Sequence, residues 1–172
     1  MLAYIQMFCR SVVLLVFIIS FASKVSRIAT FQQTITSFAL LPRRFSRSAA
    51  YLFLLAEALV AMLVLLGGPL LLPGYLLASA LLLLFCAALL SVIIRRISTT
   101  CSCFGPTTTP VSAIDIVRNT GFIACSFGGC LTLTGPVHLD ALDLAAWALS
   151  GLCALVFVGI WTQLGEIVRL FR

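Results

Sequence analysis

Five long apolar runs dominate this 172-residue chain and leave few folds open to it. They cover residues 5–23, 48–67, 70–94, 113–134 and 143–165. About 20 apolar residues in a helix cross the ~30 Å hydrocarbon core of a bilayer. The chain is 62% hydrophobic and only 9% charged, with mean hydropathy +1.21. Soluble domains are about 25% charged. A chain this poor in charge cannot cover itself with polar surface, so lipid is its solvent, and spanning segments must satisfy their own backbone groups. The expectation is an all-α, polytopic transmembrane bundle in one domain, 1–172, with about five spans: a four-helix core plus one.

The first run has a rival reading as a signal peptide, with Arg10 ahead of an apolar stretch and Ala22-Ser23 after it. Lys24 and Arg27 look instead like a span boundary. Between the first two runs, Ile28, Phe31, Ile35, Phe38 and Leu41 recur at helical spacing. They predict an amphipathic helix lying at the interface, ended by Pro42. Gly67-Gly68-Pro69 and Pro73-Gly74 predict a tight turn before the third span. Ser112 and Asp115 have capping-box spacing at the start of the fourth. In the last, Trp147 and Trp161 suit the two interfacial belts.

Net charge is +6, yet the basic residues sit beside apolar runs, as topology signals and contacts for anionic lipid rather than for nucleic acid. Lys24, Arg27, Arg43, Arg44, Arg47, Arg95, Arg96, Arg169 and Arg172 fall on one side of a five-span arrangement. Of the 11 basic residues only Arg10 and Arg118 lie inside spans. The positive-inside rule makes the basic side cytoplasmic.

Chemistry concentrates in the loop 97–111, at Cys101-Ser102-Cys103-Phe104-Gly105-Pro106. Thiolate is the reactive form of cysteine, and Arg95, Arg96 and the helix start at Ser112 all favour it. One intervening residue can bring two Cα atoms within disulfide range, about 4.4–6.8 Å. Such a small ring is strained and easily reduced, which describes an exchangeable dithiol. The plainer alternative is two small residues in a loop. No metal site is expected: His138 is the single histidine and no second cysteine pair completes four ligands. Of the seven cysteines, Cys86, Cys125 and Cys153 read as small core residues, and Cys9 and Cys130 are ambiguous.

Glu57 lies near the middle of the second span, where a carboxylate is costly and either functional or paired. Arg10, Lys24 and Arg118 are its possible partners. Asp115 and Arg118, three residues apart, can pair on one helix face. Arg118 and Asn119 lie ~8–10 Å into the fourth span, beneath the dithiol. There Arg118 either snorkels to the headgroups or forms a polar pocket with Glu57.

The ordered set Ser23-Lys24, Leu41-Pro42, Glu57, Cys101-x-Cys103-Phe104-Gly105 and Arg118-Asn119 resembles the MauE family of methylamine-utilisation membrane proteins, within a wider DoxX-like redox-associated group. Thr100 stands where that family's pattern leads one to expect an acid. The resemblance implies a membrane protein that assists maturation of the disulfide-rich small subunit of methylamine dehydrogenase, or supports thiol redox for another exported protein. A thioredoxin-like partner is implied as well. Cys101 and Cys103 would be the exchanging pair, with Phe104, Gly105, Lys24, Glu57, Arg118 and Asn119 around it. Apart from the resemblance, the buried charges Glu57 and Arg118 beneath the dithiol suggest a polar pocket for a quinone-like electron acceptor. Work on exported proteins wants the thiols outside the cell, whereas the charge count puts them inside. Two other classes remain open: a membrane assembly factor or chaperone with incidental cysteines, and a small transporter built on Glu57.

Overall fold

The computed structural model describes residues 2–37, 43–96, 112–133 and 144–165, and among them every regular element is helical. The order is α1 (Leu2–Ser26), α2 (Ile28–Ser37), α3 (Arg43–Leu66), a 3₁₀ turn (Gly68–Leu70), α4 (Leu71–Ile94), α5 (Ala113–Thr132) and α6 (Leu144–Thr162). Four stretches are long and apolar enough to cross a membrane: Leu2–Ser26, Phe45–Leu66, Gly68–Ile94 and Ala145–Thr162. The protein is a multi-pass helical membrane bundle. α5 has the length of a span but falls short of their apolarity, since Asp115, Arg118, Asn119 and Thr120 crowd its first half. It is held by neighbours instead, packing against α1 and α4.

α1 is the centre of the molecule. It packs on α3, α5 and α6, and α4 closes the ring between α3 and α5. Gln6, Cys9, Val13, Val16, Phe17, Ser20 and Lys24 recur every three or four residues along its buried stripe. Its Val and Ile residues are modest helix formers in water, but in lipid an unpaired backbone group costs far more than their propensity loses. α6 packs chiefly on α1 and turns Leu149, Leu152, Leu155 and Ile160 outward. The core runs through α1, α3, α4 and α5, and α6 joins it against α1 with Ala154 and Val158 buried. Reading the first run as a cleaved signal peptide would remove the helix on which this core is built.

The 3₁₀ turn needs its glycines. Gly67 and Gly68 have φ of 76° and 57°, left-handed values that glycine adopts without strain. Pro73 and Gly74, expected in the turn, lie inside the first turn of α4. There a proline's missing N–H has no intrahelical partner to lose. At the other end of α4, Arg95 caps the helix and Arg96 turns left-handed with φ 52°. The expected capping box of α5 is present: the Ser112 N–H donates to Asp115 Oδ2 at 3.0 Å.

Arg10, a candidate partner of Glu57, instead closes the far end of α3. Its guanidinium donates to the carbonyls of Val64 at 3.0 Å and Leu65 at 2.9 Å, which lie in the last turn and lack intrahelical partners. It also lies 5.5 Å from the Trp147 ring centroid. Arg10→Met is expected to leave these carbonyls unpaired and to lower stability by about 1–3 kcal/mol. The readout is the unfolding midpoint in detergent, and an unchanged midpoint would show that water replaces the guanidinium.

α2 follows α1 after a single residue, Arg27, and packs on α3 with Phe31 and Thr34 buried. Phe38 and Leu41 of the predicted amphipathic pattern lie outside the described residues.

Candidate functional site

Lys24 looked like a boundary charge; the fold buries it. Ser20 and Lys24 sit four apart on one face of α1, and Phe53 and Glu57 four apart on one face of α3. Where these faces meet, Lys24 Nζ contacts Glu57 Oε1 at 2.5 Å, and both residues are 3% exposed. Ser20 Oγ accepts from Lys24 at 2.5 Å and donates to Glu57 Oε1 at 2.9 Å. Two aromatic rings roof the ammonium: Phe31 at 5.3 Å and Phe53 at 5.2 Å, themselves 6.0 Å apart. Both are placed for cation–π attraction, which strengthens as water is excluded. Of the three partners open to Glu57, the structure uses Lys24.

Among the described residues, the polar contacts to Glu57 converge on Oε1. Oε2 is buried with no hydrogen-bond partner among the described residues. A buried acceptor in that state needs a reason, because leaving it unpaired is costly. Beside it is a cavity of about 30 Å³, lined among others by Ser20, Lys24, Glu57, Phe85 and Asn119. A water needs about 10–15 Å³ of such space, so one or two fit.

Asn119 reaches the cavity from α5. Its amide donates to the Leu82 carbonyl at 3.2 Å and to Cys86 Sγ at 3.4 Å, fastening α5 to α4. Arg118, one residue earlier, points elsewhere. It pairs with Asp115 at 3.1 Å, and its carbonyl accepts from Trp161 Nε1 at 2.8 Å. The pocket is thus built with Lys24 and Asn119 beside Glu57, while Arg118 serves the helix start.

Cys101, Cys103, Phe104 and Gly105 lie outside the described residues, as do His138 and Asp140. The ends of their segment are described: Arg96 after α4 and Ser112 before α5. Asn119 is six residues from Ala113, ~9 Å at ~1.5 Å per residue, so the cavity lies one to two turns beneath the end of the bundle from which that segment departs. Among the described residues, no three His, Cys, Asp or Glu side chains are placed to hold a metal ion. Ser20 and Phe53 went unnoticed in the sequence. Their signal was the spacing of four to Lys24 and to Glu57.

Compared with known proteins, residues 2–133 match the family model described as Methylamine utilisation protein MauE. No curated protein and no solved structure matches the chain. The matched residues carry α1 to α5, hence the whole cavity, and stop short of α6.

Proposed function

The chain belongs to the MauE family, and on that premise we propose that it is a membrane thiol–disulfide exchange protein assisting maturation of a disulfide-rich exported partner. The small subunit of methylamine dehydrogenase is one such partner. The observation that carries this reading is the Cys101-x-Cys103-Phe104-Gly105 motif, set between two helices of the bundle and within the matched residues. A thiolate at Cys101 or Cys103 attacks a sulfur of the partner's disulfide, and a mixed disulfide forms as the partner's other sulfur leaves as thiolate. The second loop cysteine then attacks the mixed bond, closing Cys101–Cys103 and releasing the partner reduced. The reverse sequence delivers a disulfide to the partner. A thioredoxin-like protein resets the pair.

The buried ion pair belongs to this reading as the support of the loop. It ties α1 to α3 beneath the departure point of 97–111, and the Asn119 amide ties α5 to α4 at the same level. The basic residues outside the spans put the loop on the cytoplasmic side, so exchange with an exported partner takes place before its translocation. Lys24 leaves that count because it is neutralised in the interior.

The test is trapping in cells. Cys101→Ser and Cys103→Ser are made singly, and a mixed disulfide to a partner is expected to accumulate in one of them. Membrane-impermeant maleimide applied to intact cells reports the side. If neither variant traps a partner and both keep partner maturation at the wild-type level, the exchange reading is lost and a non-catalytic assembly role takes its place.

A further inference from the structure

Glu57 uses its two oxygens unequally. Oε1 takes Lys24 and Ser20, while Oε2 is buried with no hydrogen-bond partner among the described residues. Asn119, 4% exposed, lines the same cavity from α5. Its Nδ2 donates twice, to the Leu82 carbonyl and to Cys86 Sγ. An amide nitrogen carries two hydrogens, so what Asn119 still has to offer is Oδ1, an acceptor. Ser20 Oγ gives its single hydrogen to Glu57, and the Lys24 ammonium is roofed by Phe31 and Phe53. Val16, Phe17, Leu81 and Phe85 make much of the remaining wall apolar.

These groups select an occupant by its chemistry. Glu57 Oε2 and Asn119 Oδ1 both accept hydrogen bonds, so a molecule that satisfies them must donate twice. Fully ionised anions and carbonyl compounds have nothing to donate. A metal ion would sit beside the Lys24 ammonium, and among the described residues no three His, Cys, Asp or Glu side chains converge to hold it. A hydrocarbon chain would leave Oε2 buried and unpaired, at the full cost of its desolvation. Water is the smallest molecule with two donor hydrogens. The cavity, about 30 Å³, admits one or two of them at about 10–15 Å³ each.

We propose that the cavity is a water-binding site, in which one buried water donates a hydrogen to Glu57 Oε2 and the other to Asn119 Oδ1. Buried waters make about three hydrogen bonds, and a second water in the cavity supplies the third. The bridge runs from α3 to α5, two helices that each pack on α1 and α4. The ion pair ties α1 to α3 and the Asn119 amide ties α5 to α4; the water joins these ties into one polar network through four helices. This site goes beyond the exchange reading, because its occupant is fixed by Glu57 and Asn119 whatever the cysteines do.

Asn119 is the single asparagine of the chain, so asparagine labelled with nitrogen-15 gives one side-chain amide pair in the full protein. With the chain in lipid nanodiscs, magnetisation transfer between that pair and water is measured in the laboratory and rotating frames, which separates dipolar contact from hydrogen exchange. The expected result is a dipolar cross-peak to water with the sign of a bound molecule. It should disappear in Lys24→Met/Glu57→Leu, which removes the acceptor on α3. No water cross-peak from the folded wild type, or cross-peaks to lipid acyl hydrogens in its place, overturns the proposal. So does a water cross-peak that persists in the double variant, since that water is held without the bridge. Should the double variant fail to fold, the wild-type spectrum decides by itself. None of these outcomes depends on Cys101 or Cys103, so the result is separate from that of the trapping experiment.

Discussion

Glu57→Ala is expected to lower the stability of the bundle by about 3–5 kcal/mol, the usual penalty for leaving one member of a buried ion pair alone. Lys24 would be left at 3% exposure without its carboxylate partner. The other acid among the described residues, Asp115, is engaged by Arg118. Ser20 and the rings of Phe31 and Phe53 remain, but none of them carries a negative charge. Lys24→Met alone should cost a similar amount, because it strands the carboxylate with only the Ser20 hydroxyl. The combination Lys24→Met/Glu57→Leu should recover most of the loss, since a well-packed apolar pair often equals the ion pair it replaces. Unfolding in detergent micelles, followed by helical circular dichroism, measures all three. Single variants as stable as wild type would mean that the pair is solvated. If the double variant is stable yet fails to mature its partner, the charges serve the reaction as well as the fold.

Gly129→Ala is expected to cost about 1–3 kcal/mol, the range for forcing extra volume into a packed core. A Cβ at Gly129 would meet Tyr75 Cζ at 2.5 Å and Cε1 at 2.7 Å. The ring cannot retreat easily, because Tyr75 is fully buried between α4 and α5. Tyr75→Leu in the same chain should remove the clash. The two changes together are then expected to cost less than their sum, with a coupling of about 0.5–3 kcal/mol. Strict additivity in the unfolding midpoints would show that the helices simply move apart.

The architecture was open to reading because lipid imposes a strong rule on a chain. Continuous apolar runs must be helices, and their lengths are set by the bilayer. The bundle, the capping box at Ser112 and the Asp115–Arg118 pair all follow from local spacing. What local spacing does not carry is partnership across helices. Lys24 reads as a boundary charge because it ends an apolar run, and only Glu57, 33 residues away, makes it an interior group. Arg10 reads as a charge within a span, yet its partners are carbonyls of α3 that no side-chain pattern announces. Pro73-Gly74 reads as a turn because the composition is that of a turn, and the proline's place in the first helical turn removes the conflict.

α1 holds α3 through two cations, Arg10 near one end and Lys24 near the other. Fourteen residues separate them, or ~21 Å at ~1.5 Å per residue. Two anchor points that far apart on a pair of rods forbid both sliding and pivoting, so α1 and α3 move as one plank. Any change of shape in which α1 slides along α3 must first break one of these two anchors.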